Sequence, residues 1–428
     1  MSLSLIWFIF FIVFLLAGVP IVASIGVASF MSLVIMQPHK LLMVPSLMFE
    51  GINSYLLLAI PMFMTVGLIM NRGGTAEKIF DFANTLVGWS PGGLGGVNVV
   101  ASMLFGGISG SSAADAAGLA PIEMRAMMTQ DYPKTYSAAI SVASSTLAVV
   151  IPPSVLLVVY GVVAETSVSE VLVAGYVPGI TIGLGMIVYN FFICRKYRYG
   201  RPEPFRAHQI YRKGKEAFFS LLAPLVIMGG ILGGVFTPTE AGGVGVLYVL
   251  IVTVFIERTI KPHELKDLLI DAARTSGSVV LIVASASITT YFLVSENVPT
   301  TVMNFLLGVT DNPVVIILII NVILLISGML MPPTPSLIML VPILLPVVKK
   351  ISVDPVHFGI IACANLAIGV ITPPVGPCLF ILCGATKLAL EDLCKAVFPF
   401  ILLLVGILMI ITFVPALSLS LPNLIFGR

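Results

Sequence analysis

Charge is what this 428-residue chain has least of: 10% of its residues are Asp, Glu, Lys or Arg, against 58% hydrophobic, and its mean hydropathy is +1.11. A soluble globule of that length cannot be coated with so little polar surface, which places the chain in a bilayer. Cysteine is scarce as well. Cys194, Cys363, Cys378, Cys383 and Cys394 form no CxxC and have no histidine at ligand spacing, so they read as small core residues rather than metal ligands. The histidines (His39, His208, His263, His357) are scattered, and no HExxH, Walker or dinucleotide fingerprint occurs; catalytic residues are therefore not assigned. A net charge of +2 gives no footprint for nucleic acid. Met1 to Phe14 lacks a basic n-region, and its apolar character continues through Met36 without a convincing cleavage site, so the first segment is expected to be an uncleaved membrane helix.

What the chain does have is a broken hydrophobic helix that occurs twice, as Ile151-Pro152-Pro153-Ser154 and, 221 residues later, as Thr372-Pro373-Pro374-Val375. Paired prolines remove backbone donors and disfavour the helical conformation before them, and unwound backbone survives in lipid only around a cavity, an ion or a substrate. At the same offset and without a gap, residues 141–180 and 362–401 share nine identities, among them Ala143/Ala364, Glu170/Glu391 and Pro178/Pro399. Gly107/Gly328 and Pro121/Pro342 keep the register upstream. The chain reads as an internal duplication.

Full spans are expected near residues 5–36, 54–70, 134–165, 175–194, 217–236, 240–256, 276–294, 357–382 and 397–417. Two further stretches, 93–130 and 313–350, each hold two short apolar halves around a Gly, Ser or Pro centre and read as re-entrant hairpins. Their tips are Gly106 to Ser112 and Ser327 to Thr334, both poor in helix formers. Amphipathic arms, Ala76 to Val87 and Val298 to Val309, precede the hairpins. The expected organisation is scaffold helices in 1–70, a first repeat in 71–194, a basic linker in 195–216, further scaffold helices and an amphipathic segment in 217–275, a second repeat in 276–417 and a tail in 418–428.

The linker between the repeats holds eight Lys and Arg residues and is assigned to the cytoplasm by the positive-inside rule. Nine crossings counted from it put all of the 22 basic residues there except Lys40, Lys349, Lys350 and Arg428. The same count brings the two hairpins in from opposite sides. The fold class is therefore an all-α polytopic membrane protein with inverted repeats, two re-entrant hairpins and two broken helices, the layout of alternating-access secondary transporters.

At a helix break, carbonyls that lose their amide partners can replace the hydration oxygens of a small hard cation, for which sodium is the candidate. In the second repeat the expected donors are the carbonyls of Gly369 to Thr372 and Val375, the Thr372 hydroxyl and the backbone of Gly328. In the first they are Ala148 to Ile151 and Ser154, facing Ser109, Gly110 and Ser112. The N-terminal ends of the half-helices suit an anionic group such as a carboxylate. Ser109, Ser111, Ser144, Ser145, Thr334, Ser336 and Asn365 are candidates to line the substrate cleft. Asp115, the one acid close to a hairpin tip, either caps, helps to hold a cation or orients the loop.

Taken in order, Asn53 to Pro61 (NSYLLLAIP), Asn71-Arg72-Gly73-Gly74, Phe105 to Asp115 (FGGISGSSAAD), Ile151 to Ser154 with Tyr160-Gly161, Pro178-Gly179, Phe236 to Ala241 (FTPTEA), Asp354 to Gly359 (DPVHFG) and Thr372 to Gly376 (TPPVG) resemble the large membrane subunit of the tripartite ATP-independent periplasmic (TRAP) transporters. The resemblance covers essentially the whole chain. It implies sodium-coupled import of an organic acid, such as sialic acid or a C4-dicarboxylate, across the bacterial inner membrane by an elevator mechanism. It also implies two partners, a small membrane subunit and a periplasmic substrate-binding protein. One departure from the family pattern is the proline-rich second tip, Met331-Pro332-Pro333-Thr334-Pro335. A sodium/dicarboxylate carrier that needs no binding protein is the nearest alternative. A rhomboid-like serine protease is a remote one, prompted by the GxSG at Gly107 to Gly110; it needs a histidine base, and only His357 is near a span.

Overall fold

Proline and glycine, rather than changes of polarity, divide this uniformly apolar chain into helices. The computed structural model describes residues 3–427 apart from 20, 37, 202 and 203, and every regular element among the described residues is a helix. Arg428, expected outside the cytoplasm, lies beyond them. Among the described residues, eight helices are long and apolar enough to cross a membrane, or nine if the pair bent at the first proline break counts as one span.

The N-terminal segment differs from the single span expected over 5–36. It is two helices, α1 (Leu3–Leu16) and α2 (Ile21–Met36), with Gly18 in the left-handed conformation at φ 79° between them. They pack on one another, and the Trp7 indole donates to Ser29 Oγ at 2.9 Å. Gly18 is free to adopt that φ, and Pro20 removes a helical donor two residues later. In a run with no polar residue to mark the turn, those two positions were the available signal. After α3 (Val44–Ile52), α4 (Ala59–Arg72) leads to the first arm, α5 (Thr75–Val87).

The first hairpin descends as α6 (Gly93–Ser109) and returns as α7 (Ser112–Gly118) and α8 (Ala120–Thr129). The first broken helix follows as α9 (Lys134–Ser144), α10 (Leu147–Val150) and α11 (Val155–Val163), bent by 43° at the prolines. Then come α12 (Val168–Ala174), α13 (Tyr176–Tyr197), α14 (Ala207–Leu232), α15 (Pro238–Leu250) and the long α16 (Leu265–Ser295). The linker expected over 195–216 is largely absorbed into α13 and α14, because its Lys, Arg, Gln and Ala residues are good helix formers. The second arm is α17 (Val298–Val309), the second hairpin α18 (Pro313–Leu330) with α19 (Pro333–Lys350), and the second broken helix α20 (Pro355–Gly369) with α21 (Pro377–Thr386). α22 (Leu390–Phe413) and α23 (Ala416–Phe426) complete the chain.

Each hairpin packs against its own broken helix, α6 on α9 and α10, α18 and α19 on α20. The two repeats then interlock: α22 lies along α9, and the Tyr160 hydroxyl of α11 donates to the Pro355 carbonyl at the start of α20. A second group of helices, α2, α3 and α15, gathers around α16 and α4, which pack on each other. The first arm is tied by ion pairs to the segment after α15, Lys78 to Glu257 at 2.7 Å, and to α14, Lys213 to Asp81 at 2.8 Å. Large apolar side chains such as Phe192, Leu225 and Phe255 stand exposed on the outer helices, a surface suited to lipid.

Candidate functional site

Glycine lets each hairpin tip touch its own break through the backbone. A Cβ at Gly106 would stand 2.6 Å from Ala148 Cα, and one at Gly369 would stand 2.5 Å from the Gly328 backbone; any side chain there separates tip from break. In the first tip, α6 ends at Ser109, Gly110 reverses the chain at φ 59°, and Ser111 caps α7 by accepting from Ala114 N at 3.4 Å. In the second, Pro333 opens α19 directly, Gly376 N donates to the Met329 carbonyl at 3.4 Å, and Cys378 N donates to the Val370 carbonyl at 3.0 Å. The Pro–Pro peptide bonds at the two breaks, Pro152-Pro153 and Pro373-Pro374, are cis.

The two tips meet at one cavity of about 280 Å³. One wall is Ser109 to Ala114 together with Pro332 to Thr334; the facing wall is Gly67, Leu68 and Asn71 of α4 with Thr275 and Val279 of α16. The tip of the first hairpin rests closely on α4, where a Cβ at Gly67 would lie 2.9 Å from the Ser109 carbonyl oxygen. Ser109 Oγ is buried in this wall with no hydrogen-bond partner, and Ser111 and Thr334 flank it. These three hydroxyls are the expected substrate residues that the structure does bring together. Asn71 and Thr275 were not singled out as ligands, although Asn71 opens a quoted motif; Thr275 sits among ordinary polar helix residues and carried no signal.

The other four expected substrate residues lie away from this cavity. Ser144 is fully buried and donates to Asn98 Oδ1 at 2.7 Å, and Ser145 donates to the Val142 carbonyl at 2.7 Å. Asn365 donates to Asn321 Oδ1 at 2.7 Å, and Ser336 faces the Ser327 carbonyl inside the second hairpin at 3.4 Å. They stand near a break in sequence, but helical periodicity turns them inward, where Ser144 and Asn365 clamp hairpin to broken helix and Ser145 and Ser336 bond within their own segments.

The expected sodium ligands fall into two groups. In the first repeat Ser109, Gly110, Ala148, Ile151 and Ser154 surround the contact of tip and break, with Gly110 against the Pro153 carbonyl; Ser112 faces Cys378 instead. Ser154 spends both of its roles locally, donating to the Val149 carbonyl at 2.6 Å and accepting from Leu157 N at 3.4 Å. In the second repeat Gly328 and Gly369 are in contact, and Thr372 and Val375 follow on the unwound turn. The carbonyls expected free there are partly taken, Gly369 by Thr372 N at 2.9 Å and Val370 by Cys378 N, because the unwound turn closes on itself; each keeps a second lone pair. Thr372 Oγ1 donates to the Ile368 carbonyl at 2.7 Å, so its hydrogen is committed and only lone pairs remain to face a ligand.

Asp115 lies one turn beyond the first tip and is 1% exposed, and neither of its oxygens accepts a hydrogen bond. Glu123 of α8, missed in the sequence although it is an acid in a hairpin arm, is in the same condition. His357, the base a serine protease would need, lines a different cavity with Asp354 and Thr412, so it does not face Ser109.

Comparisons with known proteins agree with this architecture. A family model described as "Tripartite ATP-independent periplasmic transporter, DctM component" matches residues 8–417. The sialic acid TRAP transporter large permease protein SiaM of Vibrio cholerae serotype O1 is 36% identical, covering 96% of this chain and 97% of its own length. The isethionate TRAP transporter permease protein DctMQ of Oleidesulfovibrio alaskensis is 37% identical over 96% of this chain, which spans 65% of that longer protein. Among solved structures, the Alcanivorax borkumensis YdaH transporter superposes with a TM-score of 0.65 at 12% identity, covering 89% of this chain and 88% of that one, a likeness of fold alone.

Proposed function

The chain belongs to the tripartite ATP-independent periplasmic transporters as a DctM component, and from that premise we propose that it imports a small organic anion coupled to sodium. In this reading it works in the bacterial inner membrane with a small membrane subunit and a periplasmic binding protein. The cavity between the two tips and the facing helices carries the proposal. Its described lining offers hydroxyls, an amide and apolar groups, and no Lys or Arg. An organic anion entering such a neutral site needs positive charge from elsewhere, since burying a charge without compensation is prohibitive. Sodium at the two contacts of tip and break, dressed by backbone oxygens and by the lone pairs of Thr372, supplies it. Relatives named for a carboxylate, sialic acid, and for a sulfonate, isethionate, fit a site that reads an anionic head through neutral donors.

The walls suggest how the anion moves. Both tips and both breaks belong to the interlocked hairpins and broken helices of the repeats, whereas the facing wall belongs to α4 and α16, whose Asn71 and Val279 fall inside the bounds expected for the repeats but pack with the other group. We infer that the repeats slide as one body past α4, α15 and α16, the elevator motion. Uptake in proteoliposomes containing the chain, its small subunit and loaded binding protein, assayed with a panel of carboxylates and sulfonates, is expected to need a sodium gradient and to rise sigmoidally with sodium. Potassium or ATP replacing sodium overturns the coupling, and uptake by the chain alone favours a carrier that needs no binding protein. A cysteine pair at Thr334 and Thr275, on opposite walls, is expected to crosslink and stop transport reversibly; a crosslinked protein that still transports overturns the sliding motion.

A further inference from the structure

The first hairpin contains two acids that neither the cavity nor the sodium contacts use. Asp115 of α7 and Glu123 of α8 face each other, both within 1% of complete burial, and none of their four carboxyl oxygens has a hydrogen-bond partner of ordinary geometry, the Ser102 and Ser141 hydroxyls being the neighbours that face them. The surrounding helices bring no countercharge. α6 and α10 contain no ionisable residue. Cys378 of α21 faces Asp115 as a thiol. Arg72 of α4 is turned to Asp271 at 3.6 Å, and Arg125 of α8 and Lys134 of α9 are exposed.

The hydroxyls beside the acids decide which form of the carboxyl fits. Ser144 has two acceptors before it, Asn98 Oδ1 at 2.7 Å and the Ser141 carbonyl at 3.0 Å. Its single hydrogen goes to one of them, so its oxygen receives the Ser102 hydrogen, at 3.0 Å. The one hydrogen of Ser102 is thereby committed, and toward Asp115, which it faces, Ser102 offers only a lone pair. A carboxylate has no hydrogen to give and meets a lone pair there; a carboxylic acid donates to it. At the other end of the chain, Asn98 Nδ2 donates to Ser141, which faces Glu123.

We propose that Asp115 and Glu123 form an intramembrane proton-binding site, in which Asp115 carries a proton donated to Ser102 at the head of the chain Ser102, Ser144, Asn98. The fold itself does not require acids there. At the repeat offset of 221, Asp115 corresponds to Ser336 and Glu123 to Leu344, both buried in the second hairpin. Two unpaired acids held in the hairpin of one repeat alone have the character of a functional site. The proton lies one turn from the cavity wall and belongs to the hairpin that forms it.

Infrared difference spectroscopy on the purified full chain tests the assignment. At neutral pH the spectrum of the parent minus that of Asp115→Asn is expected to show a carboxylic-acid carbonyl band that shifts in deuterated water. The band should persist in Glu123→Gln. Ser102→Ala, which removes the acceptor, is expected to move the band to higher frequency. A difference spectrum with carboxylate bands only, or a band lost with Glu123→Gln and kept with Asp115→Asn, overturns the proposal. If Asp115→Asn does not fold, the unmodified protein and Ser102→Ala decide: an unmodified protein without an acid band at neutral pH, or a band indifferent to Ser102→Ala, equally overturns it.

Discussion

The two hairpins share a backbone plan and differ in chemistry. Each ends in a glycine contact with its own break, Gly106 on Ala148 and Gly328 on Gly369. In each, an asparagine of the descending helix binds the broken helix at the same repeat position: Asn98 at Ser144 and Asn321 at Asn365. Their tips are unlike. The first is glycine and serine with two acids behind it; the second has Pro332, Pro333 and Pro335, which remove backbone donors from the very end of α19 that faces the cavity. Duplication has preserved what closes tip on break and released what a tip presents; under the proposed function the first hairpin is the one expected to recognise the ligand.

That division can be broken most sharply at the shared feature. Gly106→Val and Gly369→Val are each expected to cut initial uptake about 100-fold with the protein still inserted, since overpacking of roughly 2–3 kcal/mol at the working geometry is about that factor in rate. A large loss at only one of them would separate the repeats in mechanism. Ser109→Ala and Thr334→Val then compare the tips. The buried, partnerless Ser109 hydroxyl is worth roughly 10- to 100-fold in half-saturating substrate as a bond to a charged group, and Thr334 on the proline-rich tip only about 2- to 5-fold. Equal effects in substrate titrations would return the second tip to recognition.

The breaks differ more subtly. Thr372→Val is expected to raise the sodium concentration for half-maximal uptake by about 3- to 10-fold, and Thr372→Ser to be mild. Ser154→Ala, whose hydroxyl is already spent on Val149 and Leu157, should change it less than about twofold. Sodium titrations in which both variants match the parent reduce Thr372 to packing. Smallest are the clamps: Asn365→Ala and Ser144→Ala should each lower stability by about 0.6–1.7 kcal/mol, the range of interhelical hydrogen bonds in membranes, read as a shift of a few degrees in thermal unfolding of the purified protein.

Much of this architecture was legible because proline and glycine act through the backbone. The breaks at Pro152 and Pro373, the tips, the arms and the family resemblance follow from such residues in order. Less legible were features that depend on which way a side chain turns. Ser144, Ser145, Ser336 and Asn365 stand near the breaks in sequence, yet their helical faces point into the protein. Asn71 and Thr275 reach the cavity because helices from distant parts of the chain meet there. The turn at Gly18 lay in an apolar run whose composition does not change across it, and Glu123 was passed over although an acid in such a segment is costly enough to be a signal in itself.

The first arm, α5, is lashed to its neighbours by Lys78–Glu257 and Lys213–Asp81, whereas α17, its counterpart, contains no charged residue at all. One arm is held by ion pairs and the other carries no charge, so the two arms answer to different solvents. Ionic strength loosens the more exposed Lys213–Asp81 lashing by screening and leaves the second arm untouched; the thickness and fluidity of the lipid act on the second arm and little on the first. Salt and lipid composition thus each act chiefly on one arm and little on the other.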